Sequence, residues 1–205
     1  MKKLCIALAA FVVVTLGVII GGLALLLRGG ISAKVEPTGI ETAVAGQLRR
    51  VGIPRSFRKL GNPVASSKQA VAAGRTHFAD HCAICHANDG SGQTEMGRNL
   101  HPRSPDLRLP ETQQLTDGEL FYIIENGVRL TGMPAWGDGG EESVRASWHL
   151  VPFIRHLPQL TPEEKLEMER LNPKSPEEWR EMQEDEEFLK GNEPSDKTHK
   201  EPRHH

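Results

Sequence analysis

At 205 residues the chain has room for one ordinary domain plus extensions, and 38% apolar with 5% aromatic content is thin for a core spanning the full length. The net charge of −2 hides a gradient: residues 1–67 hold 9 Lys/Arg against 2 Asp/Glu, residues 68–158 hold 8 against 11, and residues 159–205 hold 8 against 14. That distribution excludes a nucleic-acid-binding face, puts a basic stretch where it can meet anionic lipid or a partner, and leaves an acidic, solvated tail.

Leu4 to Leu27 is a run of 24 residues without a charge, preceded by Lys2 and Lys3 and closed by Arg28. As a helix it is about 36 Å long, enough to cross a hydrocarbon core of about 30 Å. The two leading lysines place the N-terminus in the cytoplasm, so the chain after Arg28 is expected outside. A cleaved signal peptide is the rival reading. It wants a shorter apolar region followed closely by a small-x-small site, and Arg28-Gly29-Gly30-Ile31-Ser32-Ala33-Lys34 matches poorly. Residues 1–28 are therefore read as a signal-anchor. Cys5 lies too near the N-terminus for a lipoprotein site and is read as an apolar thiol in the span.

Residues 29–67, rich in Gly, Pro, Ser and Arg, carry no sustained period and read as a linker or stalk. Arg49, Arg50, Arg55, Arg58 and Lys59 are expected to be a solvated basic face. A compact domain follows over 68–158. Ser67 can cap a helix on which Ala70, Val71, Gly74 and Phe78 share a face. A loop from Asn88 to Pro110 comes next. A second helix is expected from Thr116, with Glu119 completing a capping box and Asn126-Gly127 ending it. A third is expected from about Ser143 to Leu157, stopped by Pro158. The period is 3.6 throughout, so the fold class is all-α.

In the tail, residues 159–205, Thr161-Pro162-Glu163-Glu164 and Ser175-Pro176-Glu177-Glu178 are helix starts. Trp179, Met182 and Leu189 form a narrow apolar stripe that either folds back on the domain or docks on a partner subunit. The last ten residues are expected to be disordered, and His199, His204 and His205 to bind copper or zinc at most loosely.

Three cysteines with one CxxC pair argue against a disulfide framework. Cys82-Ala83-Ile84-Cys85-His86 has the spacing that attaches c-type haem. Two thiols on a helical turn reach the two vinyl groups on one porphyrin edge, and the next imidazole points at the iron. Zinc is a competing reading, since His77 and His81 lie close to the same cluster. A structural zinc site would want a second ligand pair downstream, where the sequence offers His101, His149, His156 and the tail histidines. A thioredoxin-like redox pair would need a βαβ unit, and no strand is expected. For the second axial position, Met1, Met168 and Met182 are poorly placed and Met96 is too close to His86. Met133, in Gly132-Met133-Pro134, has a backbone fixed by its neighbours and a soft thioether that favours reduced iron.

With these residues in view, the segment from about Ala70 to Leu157 resembles the class I mono-haem c-type cytochromes, and is similar to the c-type domains of bacterial respiratory oxidase subunits. The residues carrying the resemblance are Gly74, Phe78, Cys82-Ala83-Ile84-Cys85-His86, Asp89-Gly90-Ser91-Gly92, Pro105-Asp106-Leu107, Gly132-Met133-Pro134 and Trp148. It implies a small all-α cytochrome c fold in which the first and last helices cross at Gly74 near Trp148. It implies one covalent haem c per chain on Cys82 and Cys85, iron ligated by His86 and Met133, and a carbonyl of the 102–105 loop, from Pro102 or Pro105, orienting His86. A non-enzymatic electron carrier is expected, on the periplasmic face of a bacterial cytoplasmic membrane. Its partners would be lipid, through the N-terminal helix, and redox proteins, either as a shuttle or as a subunit of an oxidase or dehydrogenase with the acidic tail docking on that complex. A haem peroxidase would require an open sixth site, and a sensor or metal-delivery protein would use the tail histidines.

Overall fold

The computed structural model describes residues 2–26 and 32–190, and these form helices and turns without a strand. Helix α1 (Lys2–Leu26) is apolar on every side, and Lys2–Ala24 is long and apolar enough to cross a membrane. The expected disorder of the last ten residues and the metal-binding reading of His199, His204 and His205 lie outside the described residues.

Inside the expected linker the chain is helical. Thr38 and Glu41 close a capping box that starts α2 (Gly39–Gly52). A four-residue turn, α3 (Arg55–Arg58), follows behind Pro54. The end of this segment packs on the following domain. Ile53 is buried, and the Phe57 ring meets Tyr122 edge-on at 4.9 Å. The 3.6 period is hard to read here because Gly and Arg interrupt it, whereas the capping box is the same signal that marks the later helices.

Helix α4 (Lys68–His77) starts where expected, with Ser67 Oγ accepting the Ala70 N–H. A π-helical turn over Phe78–Cys82 and a short helix, α5 (Ala83–His86), continue it. The short helices α6 (Glu95–Asn99) and α7 (Pro110–Gln113) punctuate the expected loop. Helix α8 (Asp117–Asn126) has the Thr116–Glu119 capping box and ends at Gly127 with φ 63°. Helix α9 (Glu141–His156) begins two residues before the expected Ser143. Glu141 and Glu142 complement the positive end of its dipole, and the Ser143 hydroxyl donates to the Trp136 carbonyl instead. A 3₁₀ turn at Leu157–Gln159 contains the expected stop, Pro158.

The core forms where α4 and α9 cross, at Gly74. A Cβ on Gly74 would lie 2.8 Å from Phe153 Cβ and closer still to the His149 carbonyl, so only hydrogen fits. Phe78 and Phe153 are almost fully buried with ring centroids 5.1 Å apart, and Phe121 stacks on Trp148 at 4.0 Å. Pro152 sits inside α9 and has no N–H to give the Trp148 carbonyl. The Asn62 side-chain amide donates to that carbonyl at 3.1 Å. A residue of the expected linker thus satisfies an acceptor that the helix leaves open.

The start of the tail also joins the domain. Helix α10 (Pro162–Leu171) inserts Met168 into the core with no exposed surface. Arg75 pairs with Glu164 and Glu167, and His156 Nε2 lies 2.8 Å from Glu164. Helix α11 (Pro176–Leu189) does not fold back in this way: Trp179, Met182 and Leu189 are 54%, 49% and 83% exposed.

Candidate functional site

The site starts from the widened turn at Phe78–Cys82, a form of helical irregularity that recurs at functional positions. It ends at Cys82, the N-cap of α5, and the single turn of α5 carries Cys85 and His86. The chain reverses at Ala87, which has φ 61° although it is not glycine. Gly90 and Gly92, at φ 75° and 71°, then fold the loop back. The Gly92 N–H donates to the His86 carbonyl at 2.8 Å, and the Leu107 N–H donates to the Gly90 carbonyl at 2.8 Å. A Cβ on Gly92 would meet the Pro105 carbonyl at 3.2 Å, so this glycine lets the 104–107 strand of loop lie against the CxxCH turn.

Of the two carbonyls left open by the sequence, Pro105 is the one facing His86. Burial lowers the His86 pKa, opposed in part by that carbonyl. The ring is therefore neutral at pH 7, with a nitrogen lone pair available to a metal. Its Nδ1 is buried and closes no full hydrogen bond. Burial pushes the Cys82 thiol up to about 12, with Cys85 adding to the shift, and raises Cys85 as well. Both are free thiols. Thiols held protonated are poor thiolate ligands and poor resting nucleophiles.

Met133 is half-buried in a tightly pinned loop. Its N–H donates to Thr131 Oγ1 at 3.1 Å, and its carbonyl accepts the Val128 N–H at 3.1 Å. Neighbouring residues bring this loop toward the CxxCH turn. The Trp136 ring meets His81 edge-on at 5.3 Å, one residue before Cys82, and Leu100 packs on Gly132. Met96 lies on α6 and is 49% exposed. Trp136 and Leu100 were not singled out from sequence, although Trp136 stands three residues after Met133.

Other histidines are engaged differently. His77 stacks on His81 at 4.7 Å, and His81 Nδ1 is 3.1 Å from Asp80. Among the described residues, no group of three or more His, Cys, Asp and Glu is arranged to hold a bare metal ion. The donors present instead fit a covalently attached haem: a CxxC pair, a neutral imidazole backed by a carbonyl, and a thioether on a loop whose Trp136 reaches His81. The buried Nδ1 that lacks a full partner belongs to the histidine this fit assigns to iron, and the Pro105 carbonyl is placed to receive its proton's hydrogen bond.

Residues 69–154 match the family model described as cytochrome C oxidase, cbb3-type, subunit III. The match runs from the second residue of α4 to within two residues of the end of α9. Helices α1, α2, α3, α10 and α11 lie outside it.

Proposed function

Because the chain is a c-type cytochrome whose domain is similar to that of cbb3-type oxidase subunit III, we propose that it carries single electrons between respiratory partners on the outer face of a bacterial cytoplasmic membrane. Cys82 and Cys85 would hold one haem c covalently, and His86 and Met133 would be the residues that ligate its iron. When bound, that group supplies reversible one-electron chemistry at iron.

The chain's own residues do the rest. The buried His86 presents one ring nitrogen, and the Pro105 carbonyl sets its tautomer and orientation. Thr131 Oγ1 and the Val128 N–H hold the Met133 backbone, which would limit how far the loop shifts between oxidation states. With both residues ligating, the iron would have no open position for substrate, which separates an outer-sphere carrier from a peroxidase. The α1 span retains the domain at the membrane, and Lys2 and Lys3 support a cytoplasmic N-terminus. The exposed Trp179 and Met182 on an acidic helix support docking of the tail on a subunit of an oxidase complex.

The carrying observation is the CxxCH turn folded against Pro105, with the Met133 loop brought to it by Trp136. Met133→Ala should keep the haem attached and lower the potential by on the order of 0.2 V, within the range axial ligands command. The ferric parent protein should resist cyanide, whereas the variant should bind it. An unchanged potential rejects Met133, and ready cyanide binding by the parent favours an open-site enzyme.

A further inference from the structure

Helix α2 is amphipathic in the reverse sense for a domain helix. Ile40, Val44, Leu48 and Val51 recur at spacings of three and four, which puts them on one stripe. All four face outward, at 75%, 52%, 67% and 78% exposure. The partly buried residues are Glu41, at the edge of the stripe, and Gly46 and Arg49 on the opposite side. Polar groups make the link to the domain: Glu36 pairs with Arg103 at 2.6 Å, and Glu41 lies within electrostatic reach of His101. An apolar stripe turned away from its own core has no folding role within the described chain.

Three observations identify its occupant. Twelve residues separate Leu26, the end of α1, from Gly39. Fully extended they span roughly 40 Å, so α2 is confined to the neighbourhood of the bilayer that α1 enters. The segment from Ser32 to Lys59 is basic, with Lys34, Arg49, Arg50, Arg55, Arg58 and Lys59 against Glu36 and Glu41. The stripe contains only aliphatic side chains, suited to an acyl boundary.

We propose that α2 is an interfacial helix that lies in the surface of an anionic bilayer, its Ile40–Val44–Leu48–Val51 stripe among the acyl chains and the exposed Arg50, with Arg55 just beyond the helix, toward lipid phosphates. This rests on α1 as a retained span. The polar side of α2 then holds the 101–103 loop, two residues before Pro105, at the membrane surface. The cytochrome domain is thereby set in one orientation toward membrane-embedded partners.

The test uses the full haem-loaded chain in nanodiscs, left ferric with each label's relaxation without collider taken as its baseline, and with Cys5→Ser removing the remaining free thiol. Nitroxide labels at Val44→Cys, Leu48→Cys and Thr42→Cys are compared for collision with oxygen, which partitions into lipid, and with a water-soluble nickel chelate. In phosphatidylglycerol-containing discs the labels at 44 and 48 should favour oxygen several-fold over the label at 42. The contrast should shrink in phosphatidylcholine alone and in Arg50→Gln/Arg55→Gln. Labels at 44 and 48 that meet nickel as freely as the label at 42 overturn the proposal and point to a protein occupant. A contrast indifferent to lipid charge overturns the anionic surface as its target. A label at Val13→Cys reports on α1 separately: nickel access there would refute the anchor itself.

Discussion

Gly74→Ala tests whether the α4–α9 crossing depends on close backbone approach. The new methyl carbon would meet Phe153 Cβ at 2.8 Å and the His149 carbonyl at a shorter distance. Neither is the end of a flexible side chain, so the helices must separate. Overpacking of this kind costs about 1–3 kcal/mol, and an immovable neighbour places it at the upper end. Replacing a helical glycine by alanine returns about 1 kcal/mol through propensity. The net loss is about 2 kcal/mol, which for a domain of this size lowers Tm by roughly 8–16 °C. Gly46→Ala is the control, because a Cβ there meets nothing within 4 Å and only the propensity gain should appear. Thermal unfolding of the haem-loaded proteins, followed by haem absorbance, makes the comparison. A Gly74→Ala midpoint equal to that of Gly46→Ala would refute the crossing argument.

Two further substitutions probe the flanks of the domain. Burial alone would raise the Glu164 pKa, but the Thr161 backbone N–H, His156 and Arg75 together lower it; Glu167 shares Arg75. Its stabilising contribution is therefore present above the ordinary carboxylate value near 4.5 and is lost as pH falls through the depressed folded value. Glu164→Gln should cost about 1–2 kcal/mol at pH 7 and little at pH 3, and parallel denaturant curves that never converge would reject the linkage. Gly118→Ala should lever α3 off α8, because its Cβ would strike the Phe57 carbonyl and sit 3.0 Å from Leu60 Cβ. Trypsin should then cut faster at Arg55, Arg58 and Lys59 with the haem spectrum unchanged; an unaltered cleavage rate would mean the segment is not held there.

The domain helices were legible because cap and period agreed: Ser67 before the Ala70–Gly74 face, and Thr116 with Glu119 before Leu120 and Ile124. The CxxCH and Gly-Met-Pro motifs stand out in the sequence because each is short and contiguous; their roles toward haem belong to the proposal. The stalk was not. Thr38 and Glu41 mark α2 with the same capping signal, but the stripe behind it does not face a core, so it did not resemble a domain helix. Asn62 joins the domain through a single amide that completes α9 at Pro152, a long-range polar contact with no periodic trace. Met168 reads as part of a solvated tail because one buried side chain does not lift the hydropathy of a segment rich in Glu. The choice between Pro102 and Pro105 required the tertiary path of the loop through Gly90 and Gly92.

The central claim is a haem bonded to this polypeptide through Cys82 and Cys85. Its most direct test is the intact mass and haem stain of the denatured chain, purified from membranes of cells that mature c-type cytochromes. The account predicts the polypeptide mass plus one haem, with colour surviving denaturation and acid-acetone extraction, and impaired attachment in Cys82→Ala. A colourless chain of unmodified mass, or haem that extracts freely from the parent protein, would contradict it.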